Sequence, residues 1–155
     1  MPLPSAAFPC CRAHDLYGPV EDYAKSILRT PGDEVYWFHC ASSFEGHATV
    51  RVAKLGTEVM VFRVYRRSTF GRTQRFQRLL SESNWSRLEG AVFAANFWML
   101  DELGGRHGLD GSMWGFAGRR GHEYHYISRW SPKGELWDLG RLFFDLAGLA
   151  EVRLH

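Results

Sequence analysis

The chain reads as an α+β fold, an antiparallel sheet with two main helices on one face, and three observations predict it. Short strand-like segments with alternating apolar and polar residues fill the first half from Glu34. Two longer segments with helical spacing of apolar residues follow, one central and one C-terminal. A hairpin pattern separates those helices, so the order is βββ-α-ββ-α, an arrangement that segregates helices to one side of an antiparallel sheet.

Residues 1–33 are rich in Pro and turn formers and read as an irregular arm with a short helix at "VEDYAKSIL". The single α+β domain is expected over 34–155. Its first strand, "EVYWFHC", is dense in β-branched and aromatic residues. In "HATVRVAK", period two sets Val50 and Val52 on one face against Thr49 and Arg51 on the other. "TEVMVFRVYRR" alternates the same way, with Met60, Phe62 and Val64 opposed to Val59, Val61, Arg63 and Tyr65. The turns "SSFEG" and "KLG" link the three into a meander.

The basic segment "RRSTFGRTQRFQR" interrupts this texture and reads as an exposed connection. "SESNWSRLEGAVFAANFWMLDEL" then predicts one helix, with Trp85, Leu88, Val92, Ala95 and Met99 on an apolar stripe that Phe93, Phe97 and Leu100 widen. Such breadth predicts burial along most of its length, ending at Gly104 or Gly105. "SMWGFAGRRGHEYHYISRW" predicts a hairpin turning at Arg120-Gly121, with Arg119 opposite His122 and Phe116 opposite His125. Ser131 and Pro132 fit an N-cap and first turn for the last helix, "ELWDLGRLFFDLAGL", whose stripe is Leu136, Leu139, Phe143 and Leu146 and whose terminator is Gly148.

The length of 155 residues suits one core, and an aromatic content of 15% with six Trp predicts that large rings dominate it. Three cysteines, two of them adjacent and none in a CxxC pair, make a poor disulfide framework and predict a reducing compartment. No stretch approaches the length of a membrane span, and "MPLPSAAFPCC" lacks the basic and apolar regions of a secretory signal. The expectation is a cytoplasmic chain with no membrane partner. The net charge of +2 excludes little.

Chemistry-bearing residues are few. His122 and His125 stand three apart, which on a helix would suit a metal, but strand periodicity sends them to opposite faces, so no metal site is expected. Glu123, His125, Ile127 and Arg129 share a face with Trp114 and Phe116. His125 could act as an acid or base with Asp110, Arg129 or Glu123 beside it. In the plainer reading His125 is a packed histidine, and Asp110 holds the Asp110-Gly111 turn. Arg66, Arg67, Arg72, Arg75 and Arg78 interleave with Phe70 and Phe76, which suits an acidic protein partner and, as an alternative, nucleic acid. No GxSxG, P-loop or GxGxxG is present, no nucleic-acid fold motif accompanies the arginines, and no cofactor is implied. Cys40, in a predicted strand, reads as a core residue.

The C-terminal half, from Trp85 to Leu149, resembles a bacterial family of unassigned activity with the signature (L)DGxxWxxEG…YH…RWSP. The matching positions are Phe97, Trp98, Asp110, Gly111, Trp114, Gly118, Tyr124, His125, Arg129, Trp130, Ser131 and Pro132. Ala117 stands where the pattern has Glu, so an activity resting on that carboxylate in relatives would be missing here. The resemblance implies an accessory or immunity protein of a toxin locus. Besides the nucleic-acid alternative through Arg66–Arg78, the residues and the resemblance leave two roles as expectations. One is an immunity-type inhibitor that binds and neutralises a toxin or effector. The other is a small enzyme or ligand-binding protein using His125, Asp110, Arg129 and Glu123.

Overall fold

The computed structural model describes residues 24–42, 46–68, 71–105, 108 and 111–154. Cys10, Cys11, Phe70, His107 and Asp110 lie outside them. A single antiparallel sheet of six strands organises these residues: β1 (Glu34–Ser42), β2 (Gly46–Leu55), β3 (Glu58–Arg66), β4 (Thr73–Leu80), β5 (Ser112–Arg120) and β6 (Glu123–Trp130). Their spatial order is β4-β3-β2-β1-β5-β6, so the meander runs outward from β1 on one side and the hairpin joins β1 on the other.

The three-strand meander and the C-terminal hairpin form as the alternation predicts. The basic segment, however, is no simple connection. Thr73–Leu80 pairs with β3 in register, Arg63 opposite Phe76 and Val61 opposite Arg78, and becomes an edge strand. Its sequence hides this because, on the face where Phe76 and Leu80 pack against the core, the alternate positions Gln74 and Arg78 are polar and exposed.

The helices α1 (Glu82–Ala94) and α2 (Glu135–Leu146) pack on one sheet face. The core there joins Trp85, Leu88 and Val92 of α1, and Leu139, Phe143 and Phe144 of α2, to Tyr36, Phe38, Val50, Val61, Trp114, Phe116 and Ile127 of the sheet. Phe38 sits at its centre, with its ring 4.8 Å from Phe116 and 5.4 Å from Phe143, centroid to centroid. The close approach of α2 explains Gly140, since a Cβ there would lie 2.2 Å from the Trp114 ring.

Two helix boundaries differ from expectation. Ser81 caps α1, accepting from the Asn84 N–H as a Ser N-cap should, but the helix ends near Ala95. Asn96 takes a left-handed conformation, φ 52°, and Phe97–Met99 continue as a short 3-10 turn. The stripe therefore breaks. Phe97 is buried, whereas Phe93 and Met99 turn to solvent, 87% and 77% exposed. At α2 the N-cap is Gly134, not Ser131. Ser131 instead clasps the start of β5: its Oγ accepts from the Ser112 N–H at 3.0 Å, and its own N–H donates to the Ser112 carbonyl at 2.8 Å.

The second sheet face carries Val35, Trp37, His39, Thr49, Arg51, Ala53, Met60, Phe62, Val64, Ala117 and Tyr126, all buried. Ala24 and Ile27 pack against part of it from a 3-10 turn, Lys25–Arg29. Arg119 fixes that turn by donating to the carbonyls of Ile27, Thr30 and Gly32 at 2.8–2.9 Å. No described helix is long and apolar enough to cross a membrane.

Candidate functional site

The hairpin turns one residue later than the sequence suggests. Gly121 and His122 form the turn, Arg120 faces Glu123, and Gly118, not Phe116, faces His125. Moving the turn by one residue shifts the pairing by two, and period two keeps every side chain on its face. Thus Glu123, His125, Ile127 and Arg129 do share the helix side with Trp114 and Phe116, and His122 is exposed in the turn.

His125 stands in an aromatic cluster. Its ring lies 5.2 Å from Phe97 and 6.2 Å from Trp98, and Tyr36 approaches the same two rings at 6.4 and 6.2 Å. Gly118 is the floor of the cluster: a Cβ would come within 2.8 Å of Phe97, 3.0 Å of Tyr36 and 3.1 Å of Trp98. The Nε2 atom of His125 is buried and has no hydrogen-bond partner, as is the indole nitrogen of Trp98.

Charges gather at the rim. The Tyr36 hydroxyl donates to the Glu34 carboxylate. Burial, and then that carboxylate, raise its pKa well above the usual phenol range. Arg120 stacks over the Trp98 ring at 4.4 Å and pairs with Glu123 at 2.9 Å. Glu123 is therefore occupied by Arg120. Arg129 turns to the loop beyond α1, donating to the Asp101 carbonyl at 2.7 Å and the Glu102 carbonyl at 3.2 Å. Of the three residues proposed around His125, Glu123 and Arg129 are described, and neither directs its charge at the imidazole. Asp110 falls outside the described residues.

The five arginines divide. Arg78 donates to the Leu146 carbonyl at 2.8 Å, and Arg63, missed by sequence reasoning, donates to the Ala147 carbonyl at 2.6 Å. Both complete the C-terminus of α2, where unpaired carbonyls and the helix dipole favour cations. Phe76 lies under both guanidinium groups, at 4.6 Å from Arg63 and 5.8 Å from Arg78. Arg66 donates to the Ser68 carbonyl at 2.9 Å, and Arg67, Arg72 and Arg75 are exposed.

A second histidine pair lies on the opposite sheet face. His39 is buried, with Nδ1 2.9 Å from the Thr49 hydroxyl and its ring stacked on Trp37. Burial, helped by the like charge of His47 at 6.1 Å between ring centres, pulls its pKa down to about 3. Cys40 is buried, and its thiol is pushed up to about 12 by desolvation, an inert core thiol as its strand position predicts. Among the described residues no three His, Cys, Asp or Glu side chains converge as metal ligands would.

The feature sequence reasoning missed is apolar. Phe93, Met99 and Leu103 all face solvent, the last 74% exposed. They fall within eleven residues at the end of α1 and along the loop that Arg129 holds. For Met99 the signal was available only as Asn96, a residue tolerant of left-handed backbone inside a helical stripe. No family model matches the chain, and no curated protein is significantly similar to it.

Proposed function

We propose that this chain is a protein-binding module, most concretely an immunity-type inhibitor that covers the active site of a bacterial toxin or effector. The observation that carries the reading is the exposure of Phe93, Met99 and Leu103. The core buries Phe38, Phe97, Phe116, Phe143 and Phe144 almost completely. Large apolar side chains left in water within one short segment mark contact surfaces, because covering them releases the free energy that drives association. Glu89, Asp101 and Glu102, all exposed, lie in or beside the same stretch of sequence. The toxin or effector as partner comes from the C-terminal resemblance, and inhibition by occlusion needs no catalytic group of the inhibitor's own.

Co-expression with the product of the neighbouring gene tests this directly. Relief of toxicity and co-purification are expected, both lost in Phe93→Ser/Met99→Ser while the variant stays folded. Failure of the intact chain to protect or co-purify would refute it. A second reading, a small ligand-binding protein or enzyme centred on His125, draws on the unpartnered Nε2 beside Trp98. It requires that His125→Phe abolish a ligand-dependent rise in Tm without touching partner capture.

A further inference from the structure

The sheet ends differently on its two sides. Along β6, the Ser128 N–H donates to the Glu102 carbonyl at 2.8 Å and Leu103 bridges Ser128 in parallel sense, so the loop after α1 closes part of that edge. Along β4, among the described residues, no strand or loop takes the outer side. Eight residues, roughly 26 Å of backbone at the usual rise, thus present one row of main-chain donors and acceptors outward.

The charge on this edge is of one sign. Between Arg63 and Ser81 the sequence holds six arginines and no acidic residue. Arg63 and Arg78 donate to carbonyls at the end of α2, and Arg67, Arg72 and Arg75 are exposed along or just before the strand. Leu79, 55% exposed, adds an apolar contact at the far end. We propose that β4 receives an extended acidic segment of a protein partner as a seventh strand. Main-chain hydrogen bonds would supply affinity, and carboxylates of the segment would meet Arg72 and Arg75. A second copy of this chain is disfavoured as the occupant, since β4 against β4 sets arginine rows side by side. The inference rests on the protein-binding reading but uses a surface separate from Phe93, Met99 and Leu103 in sequence.

The test uses the full chain and a fluorescent eight-residue peptide of alternating Glu and Val, with capped ends. Two further peptides carry N-methyl groups on the odd or on the even residues, and a fourth has Lys for Glu. Expected results are saturable binding of the acidic peptide, a weakening of tenfold or more between 50 and 300 mM salt, and no binding of the Lys peptide. One N-methylated peptide should lose tenfold or more and the other should not, because only alternate N–H groups face the edge. Arg72→Glu/Arg75→Glu, with an unchanged melting curve, should also lose tenfold or more. Equal binding of both N-methylated peptides would reduce the site to unspecific charge and overturn strand addition. Tighter binding of a single-stranded oligothymidylate of equal charge would assign the edge to nucleic acid instead. Concentration-dependent dimers that the peptide does not dissociate would assign it to a second copy. Phe93→Ser/Met99→Ser should leave peptide binding intact, so failure here and failure of the inhibitor reading are read separately.

Discussion

At the scale of single residues, Gly118 is a tightly constrained position. Three aromatic rings from β1 and the 3-10 turn occupy the space a side chain would need, and His125 lies directly across the strand pair. Those rings are interlocked, so none can give way without displacing another. Gly118→Ala is expected to cost about 2 kcal/mol, the usual range for overpacking a filled site. Urea unfolding measures it, and an unchanged midpoint would mean the ring cluster is loose. The same packing brings Phe97, Trp98, Gly118 and His125 together in space. The cluster is a joint between the loop after α1 and the hairpin, and His125 belongs to it first as a ring.

At the scale of elements, the end of α2 shows how a basic segment becomes structural. Arg63 comes from β3 and Arg78 from β4, and each donates to a carbonyl of the last turn. Burial lowers the Arg63 pKa from its ordinary value, yet leaves the group a cation at any working pH. Arg63→Met keeps much of the stem packed on Phe76 and removes the cation. It is expected to lower stability by about 1–2 kcal/mol, the range for a charged contact at a partly buried helix terminus. Amide exchange should quicken in Leu146–Leu149 before it does in β5. Uniform acceleration across the sheet would show that the cap is not local. The break in α1 belongs to this scale as well. A left-handed Asn96 rotates Met99 out of the stripe it would continue, and an apolar segment predicted as core becomes surface.

At the scale of the whole molecule, the buried face opposite the helices makes stability depend on pH. His39 is neutral in the folded chain, with its pKa brought down to about 3 from an ordinary 6.5, chiefly by burial and then by His47. His47, half-buried on the same face, is lowered by burial alone. Between those pH values the unfolded chain binds the proton that folded His39 refuses. The contribution is therefore complete above about pH 6.5 and is lost as pH falls toward 3. The loss is about 1 kcal/mol per pH unit from His39. Urea melts from pH 7 to pH 4 on the native chain and on His39→Gln check this. The variant should show the shallower decline by that amount, and parallel declines would remove His39 as the cause.

The antiparallel α+β class, the meander, the C-terminal hairpin and the faces of residues in β2, β3 and the hairpin were all legible in the sequence. Period two and helical periodicity are local, so short windows suffice to read them, and a turn misplaced by one residue left the faces unchanged. Tertiary structure alone decided the rest. That Thr73–Leu80 is a strand depends on β3 offering it a partner, since its own residues barely alternate. That Arg63, Arg78, Arg119 and Arg129 hold carbonyls far along the chain depends on where loops and helix ends arrive. That Phe93 meets water depends on which face of α1 the sheet covers, and that Met99 does depends on a single left-handed residue. A side chain's chemistry is set by its type, but its partner is set by the path of the whole chain.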